Sequence, residues 1–407
     1  MEHTDQGHAE VDAPQLGNHC WSRQAALTTH SVRMHELRGV GVKRNFSGLP
    51  RPVAARFNTL LVLTTMPSSA AAAKIAQLIT DARVTGLSMA IIRNGSIESV
   101  TAAGVRNARD GALINEHTIF DAASLSKPVF AYAVLQLIDA GILGLDTPLA
   151  RHVSDYVPDD PRAGAIAVRH VLSHTSGLPN WRTSDFPLKT YFAPGARFSY
   201  SGEGFVWLQR TVEAITGDPI NVLLHRLVFE PLEMRQSSFV WQSAFDANYA
   251  DPHDAALVPD LKKKPASANT AASLQTTARD YARFLHGVLS GIRLKPETAR
   301  LWLSPQVTLH RRCVECLIPD MPESDTQVAW GLGWGLEPQS GTFFQWGDND
   351  RGRFKAFAMG SLQGRSAVVV FTNSFNGMSI MPELVDGTLP GSHPAFHWLN
   401  YPRFRKQ

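Results

Sequence analysis

The stretch Asp121-Ala-Ala-Ser124-Leu-Ser126-Lys127-Pro128-Val-Phe-Ala-Tyr-Ala-Val-Leu-Gln-Leu137 opens on small residues and continues as an apolar run with helical spacing. Pro128 lacks a backbone donor, which a helix tolerates only in its first turn, so the helix begins close to Ser124. Ser124 and Lys127 are three residues apart and share one face of that turn. This pattern has two readings. In one, Ser124 caps the helix and Lys127 is solvated. In the other, a serine hydroxyl lies beside an amine that becomes a base once burial lowers its pKa, with backbone N–H groups nearby to receive an oxyanion.

Working outward, the residues before and after this helix read as strands. Gly86–Arg93 alternates in polarity and meets Ser96–Ala103 across Asn94-Gly95, a two-residue hairpin turn. Strand patterns return in Gly331–Leu336, Thr342–Trp346, Phe354–Gly360 and Ser366–Thr372, while the centre reads as helix and loop, as in Gly204–Thr216 and Ala278–Leu289. The expected architecture is therefore α+β: an antiparallel sheet flanked by helices (74–145 and 290–400) with a mainly helical domain inserted at 146–289. Residues 1–73 read as an N-terminal extension, an arm or an export segment. Arg56, a short apolar run and the alanines 70–73 follow the order of an export signal, displaced from Met1, so a periplasmic or secreted location stays open beside a cytoplasmic one.

Bulk composition narrows the function classes. The chain has 407 residues, 44% of them apolar, which is enough for a large core. A net charge of +3 is too small to suggest a nucleic-acid partner, and no apolar run reaches the length of a membrane span. Three cysteines make no disulfide framework; Cys313-Val-Glu-Cys316 suits a local disulfide or two free thiols better than a metal site, since no second pair accompanies it. No metal or other cofactor is expected.

The order of motifs decides between the two readings of Ser124. After Phe120–Lys127 come Leu137-Ile-Asp-Ala-Gly-Ile-Leu-Gly-Leu-Asp-Thr-Pro148, Val171-Leu-Ser-His-Thr-Ser-Gly-Leu-Pro179, Pro194-Gly-Ala-Arg-Phe-Ser-Tyr-Ser-Gly-Glu-Gly-Phe205 and Gly331-Leu-Gly-Trp334. This series resembles the serine β-lactamase and penicillin-binding-protein superfamily, most of all its class C and esterase-like branch, over residues 76 to 380. The resemblance implies Ser124 as nucleophile, Lys127 as its partner and Tyr200 as the proton relay, through its phenolate or its hydroxyl; an ammonium on Lys127 facing Tyr200 would favour the ionised form. It also implies a third motif at Gln345-Trp346-Gly347 beside the substrate and the backbone N–H of Asp348 as second oxyanion donor. His174 and Ser176 fall in a structural loop of that family, and His174 is expected as a satisfied structural histidine.

Two departures bear on the substrate. Gly202 replaces the Asn of the family's Tyr-x-Asn motif, and Gln345 replaces a Lys or His, removing a cation that would meet a substrate carboxylate. A small ester or amide is thus the expected substrate, cleaved through an acyl-enzyme. The alternatives are a β-lactamase or D-amino-acid-specific peptidase holding the carboxylate through Arg351 or Arg353, and a penicillin-binding or sensor module that does not turn over.

Overall fold

The computed structural model describes residues 69–318, 321–401 and 403–404. Its helices are α1 (Ser69–Asp81), α2 (Ser126–Asp139), α3 (Val168–Leu172), α4 (Gly202–Thr216), α5 (Ile220–Leu224), α6 (Ala278–Ser290), α7 (Pro296–Trp302), α8 (Met381–Asp386) and α9 (Pro394–Trp398). The long strands are β1 (Gly86–Arg93), β2 (Ser96–Asn107), β9 (Thr342–Asn349), β10 (Phe354–Ser361) and β11 (Ser366–Thr372). Short strands are β3 (Ala112–Leu113), β4 (Phe120–Asp121), β5 (Gln275–Thr276), β6 (Val307–Thr308), β7 (Ala329–Trp330) and β8 (Gly335–Glu337).

Nine of these strands form one antiparallel sheet in the order β3-β2-β1-β11-β10-β9-β8-β7-β6. The β1–β2 hairpin closes through Asn94 and Gly95, both at positive φ, as the sequence suggests. Strands β10 and β11 are buried along almost their whole length because both sheet faces are covered. Ala356, Ala358, Val369 and Phe371 face a core shared with α2 and α6, whereas Phe357, Met359, Val368 and Val370 face a second core capped by Ile79 of α1, Met381 of α8 and Phe396 of α9.

Three expectations shift in detail. Gly331–Leu336 is not one strand: Gly331–Trp334 is a tight turn between β7 and β8, with Gly331 N–H donating to Trp334 O at 2.8 Å, and only Gly335 and Leu336 are in β8. Gly333 adopts φ +103°, and a Cβ there would lie 2.7 Å from the Ala131 Cβ, so glycine lets this turn press on α2. The alanines 70–73 belong to α1, which begins before residue 74. Helix α6, assigned from sequence to the helical insert, packs across β1 and β11; its strongly one-sided apolar face seats it on the sheet. The rest of the segment 1–68, with its export-like order, lies outside the described residues.

Candidate active site

Ser124 sits in a single 3-10 turn, Ala123–Leu125, that runs straight into α2. No side chain caps this helix, so the capping reading of Ser124 fails. Ala123 is held at φ +48°, a left-handed conformation that costs a non-glycine residue about 1–2 kcal/mol. The surroundings enforce it. Ala123 N–H donates to Asp121 Oδ1 at 2.8 Å, and the buried Ser126 hydroxyl donates to Ala123 O at 2.6 Å while accepting from Leu274 N–H at 3.0 Å. Ser126 is therefore the anchor of the turn, a role that spacing did not reveal.

Lys127 is 1% exposed, and its Nζ lies 3.0 Å from Ser124 Oγ and 2.8 Å from Ala271 O. Burial disfavours the ammonium and brings its pKa down to about 7, against a smaller opposing pull from Glu315. Tyr200 projects from the residue before the N-cap Ser201 of α4 and is 3% exposed. Its hydroxyl is within hydrogen-bonding reach of Ser124 and accepts from Gln345 Nε2 at 2.8 Å. Burial pushes the phenol well above its ordinary pKa. Of the two forms expected of Tyr200, phenolate or hydroxyl, burial favours the hydroxyl: desolvation penalises both charged forms, on the phenol and on the amine. Lys127 Nζ also sits 4.7 Å from the Tyr200 ring centroid.

Strand β9 brings the third motif to this turn. It pairs with β8 only at residues 342–344, so from Gln345 onward that edge has no strand partner among the described residues and lies against the Ser124 turn. A Cβ at Gly347 would lie 2.7 Å from Ala122 O, 2.9 Å from Ala123 Cβ and 3.1 Å from Ser124 N, so only glycine permits this approach. Gln345 is fully buried and its amide also contacts Ser124 O at 3.2 Å. The Asp348 side chain pairs with Lys355 at 2.5 Å, turning its charge toward β10. Asn349 latches the strand end, donating to Asp121 Oδ1 at 3.0 Å and Ala272 O at 2.9 Å. Trp346 is 3% exposed and packs on Tyr200, Trp330 and Trp398, supporting the tyrosine from the opposite face.

At Gly202 the structure explains the missing amide. A Cβ there would lie 2.8 Å from the Trp181 ring and 2.9 Å from Asn180 O, and the Asn180 side chain accepts from Gly202 N–H at 3.0 Å. His174 stacks on Tyr200 at 4.2 Å and accepts from Ser201 N–H at 3.0 Å. Burial and then the nearby Lys127 keep it neutral, but its Nε2 has no partner among the described residues, so it is structural and only half satisfied. Ser176 is buried, with its oxygen facing Leu178 N–H. Cys313 and Cys316 are disulfide-bonded to each other, so they are not metal ligands. Arg353 is paired with Asp260, and Arg351 is exposed in the β9–β10 turn with its field reaching the same aspartate.

A serine hydroxyl beside a buried amine, at the foot of a helix and facing the open edge of an antiparallel sheet, matches the Ser-x-x-Lys signature of the serine β-lactamase and penicillin-binding-protein class. The chain belongs to the beta-lactamase family, whose family model, described as Beta-lactamase, matches residues 71–385. Esterase EstB of Burkholderia gladioli is 32% identical over 209 residues, 44% of this chain and about half (52%) of EstB. Penicillin-binding protein 4 of Amycolatopsis lactamdurans is 28% identical over 63% of this chain and 72% of its own length. Among solved structures, the octameric penicillin-binding protein homologue from Pyrococcus abyssi shares the fold at TM-score 0.64 and 20% identity, covering 79% of this chain and 77% of its own.

Proposed function

We propose that this protein is a serine hydrolase that cleaves small esters, and amides of similar size, through an acyl-enzyme. The observation that carries the reading is the 3.0 Å contact between Ser124 Oγ and a Lys127 amine whose pKa is about 7. Neutral Lys127 takes the Ser124 proton as Oγ attacks the carbonyl carbon, and the oxyanion accepts from the N–H groups of Ser124 and Asp348. Collapse breaks the bond to the leaving alkoxide, which takes a proton from the Tyr200 hydroxyl; Lys127 returns one to Tyr200. Water, deprotonated by Lys127, then attacks the acyl carbon, and Ser124 Oγ leaves with the proton restored. Gln345 and Gly347 hold Tyr200 and the oxyanion edge in register, and Trp346 backs Tyr200. Residues 146–277 supply Tyr200, Asn180 and Ala271, so we assign the pocket wall to this segment.

Esterase names among the relatives support this reading, and the penicillin-binding-protein names leave lactams as the competing substrate. The test is hydrolysis of short 4-nitrophenyl esters and of a chromogenic cephalosporin by wild type and Ser124→Ala. Ester turnover that Ser124→Ala abolishes supports the proposal. Equal release by both proteins would sink it, efficient cephalosporin turnover with poor ester turnover would transfer it to the lactam alternative, and a stoichiometric burst without turnover would indicate a sensor module.

A further inference from the structure

The disulfide-closed stretch Cys313-Val-Glu-Cys316 lies at the site, although nothing in its spacing suggests so. Val314 O accepts from Tyr200 N–H at 2.9 Å. Arg197 Nη2 donates to Leu317 O at 2.8 Å, fixing the other end of the loop. Between these ties, Glu315 Oε1 accepts from Asn180 Nδ2 at 2.8 Å, and Asn180 O in turn accepts from Gly202 N–H and Glu203 N–H, both at 3.0 Å. Glu315 is thus stapled to the segment that carries Tyr200, and its outer side is exposed to solvent. Partial desolvation on its inner side pushes the carboxyl's pKa up, and its field acts on both Lys127 and Tyr200.

The surrounding charges make this carboxyl distinctive. Lys355 is taken by Asp348, Arg353 by Asp260 and Arg182 by Glu203, and Arg197 faces backbone carbonyls. Glu315 forms no ion pair among the described residues; its partner is a neutral amide. Gln345 is neutral where the family resemblance calls for a cation. Apart from Lys127, the charge beside Tyr200 that lacks an ion pair among the described residues is therefore negative, where the family resemblance calls for a positive one.

We propose that Glu315 sets the charge preference of the pocket, receiving an ammonium group carried two or three bonds from the scissile carbonyl, so that amino-acyl esters or amides are favoured and acyl groups ending in a carboxylate are rejected. This rests on the serine-hydrolase reading above. An opposite charge near a partly desolvated carboxylate gains Coulomb energy that a like charge forfeits, and discrimination comes from both terms.

The experiment uses three matched 4-nitrophenyl esters, β-alanyl, butanoyl and hemisuccinyl, which differ only in a terminal ammonium, methyl or carboxylate. Values of kcat/KM are corrected for Ser124→Ala background and for active-site content by fluorophosphonate titration, in wild type, Glu315→Gln and Glu315→Lys. Wild type is expected to prefer the cationic ester to the anionic one by about tenfold or more, with the ratio falling as salt is raised. Glu315→Gln, which keeps a hydrogen-bonding oxygen for Asn180, should bring the ratio close to one, and Glu315→Lys should invert it. Glu315→Gln should also move the midpoint of the pH–rate profile to lower pH, because an anion that favours protonated Lys127 is gone. A single charge order shared by wild type and both variants would overturn this inference alone; absence of Ser124-dependent turnover on all three esters would overturn the hydrolase reading and this inference with it.

Discussion

At the residue scale, one physical term controls the site. Lys127 and Tyr200 are both buried, and desolvation moves their pKa values in opposite directions, so the proton stays on the phenol and leaves the amine readily. Ester hydrolysis should therefore decline as pH falls through about 7, where Lys127 becomes protonated and can no longer accept the Ser124 proton; a kcat/KM profile between pH 5 and 9 checks this. Lys127→Arg should be as inactive as Lys127→Ala, since a guanidinium stays charged throughout that range. Tyr200→Phe is expected to lower kcat by about 10²-fold or more, the usual weight of a positioned proton donor, with fluorophosphonate labelling of Ser124 showing whether the nucleophile is still in place.

At the element scale, the site is an interface between the turn before α2 and the open edge of β9. Gly347→Ala tests that approach: its methyl would meet Ala122 O and Ala123 Cβ inside van der Waals distance, an overpacking cost of about 1–3 kcal/mol. The expected result is a lowered melting temperature together with a loss of turnover, because the strand that carries the Asp348 N–H is pushed from Ser124. Asn349→Ala removes the latch from strand end to Asp121 and Ala272 and should lower kcat more than it lowers stability, measured by esterase assay beside a denaturant titration. Burial pushes the Asp121 carboxyl up, opposed first by the field of Lys262 and then by the Ala123 and Asn349 donors.

At the scale of the whole molecule, two cores on opposite sheet faces hold these elements together. Phe357 is fully buried between Phe344 and Phe396, opposite Trp346 on β9 and in the core that also holds Tyr200. Phe357→Ala should cost about 3–5 kcal/mol in a urea titration, the usual range for emptying a large aromatic site. The segment 146–277 brings Tyr200 and Ala271 to Lys127 of α2, and β9 brings Gln345 to Tyr200 and Ser124, so these groups meet only when the segment and the sheet are both packed. No helix among the described residues is long and apolar enough to cross a membrane.

Much of this was legible in the linear chain. Period-two runs on either side of an Asn-Gly turn are enough to specify the β1–β2 hairpin, because turn chemistry and strand alternation are local properties. Pro128 located the start of α2, and the ordered motifs around Ser124, Lys127 and Tyr200 identified the family. What local pattern cannot carry is the environment of a charge. That Lys127 is dry, that Tyr200 stays protonated, that Ser126 and His174 position their neighbours, and that Glu315 stands beside Tyr200 all depend on residues more than a hundred positions apart or on burial by distant elements. Sequence alone determined the long strands, the start of α2 and the motifs that mark the family; the tertiary structure decided the short strands, where α6 packs and which groups are desolvated, and desolvation sets their protonation states.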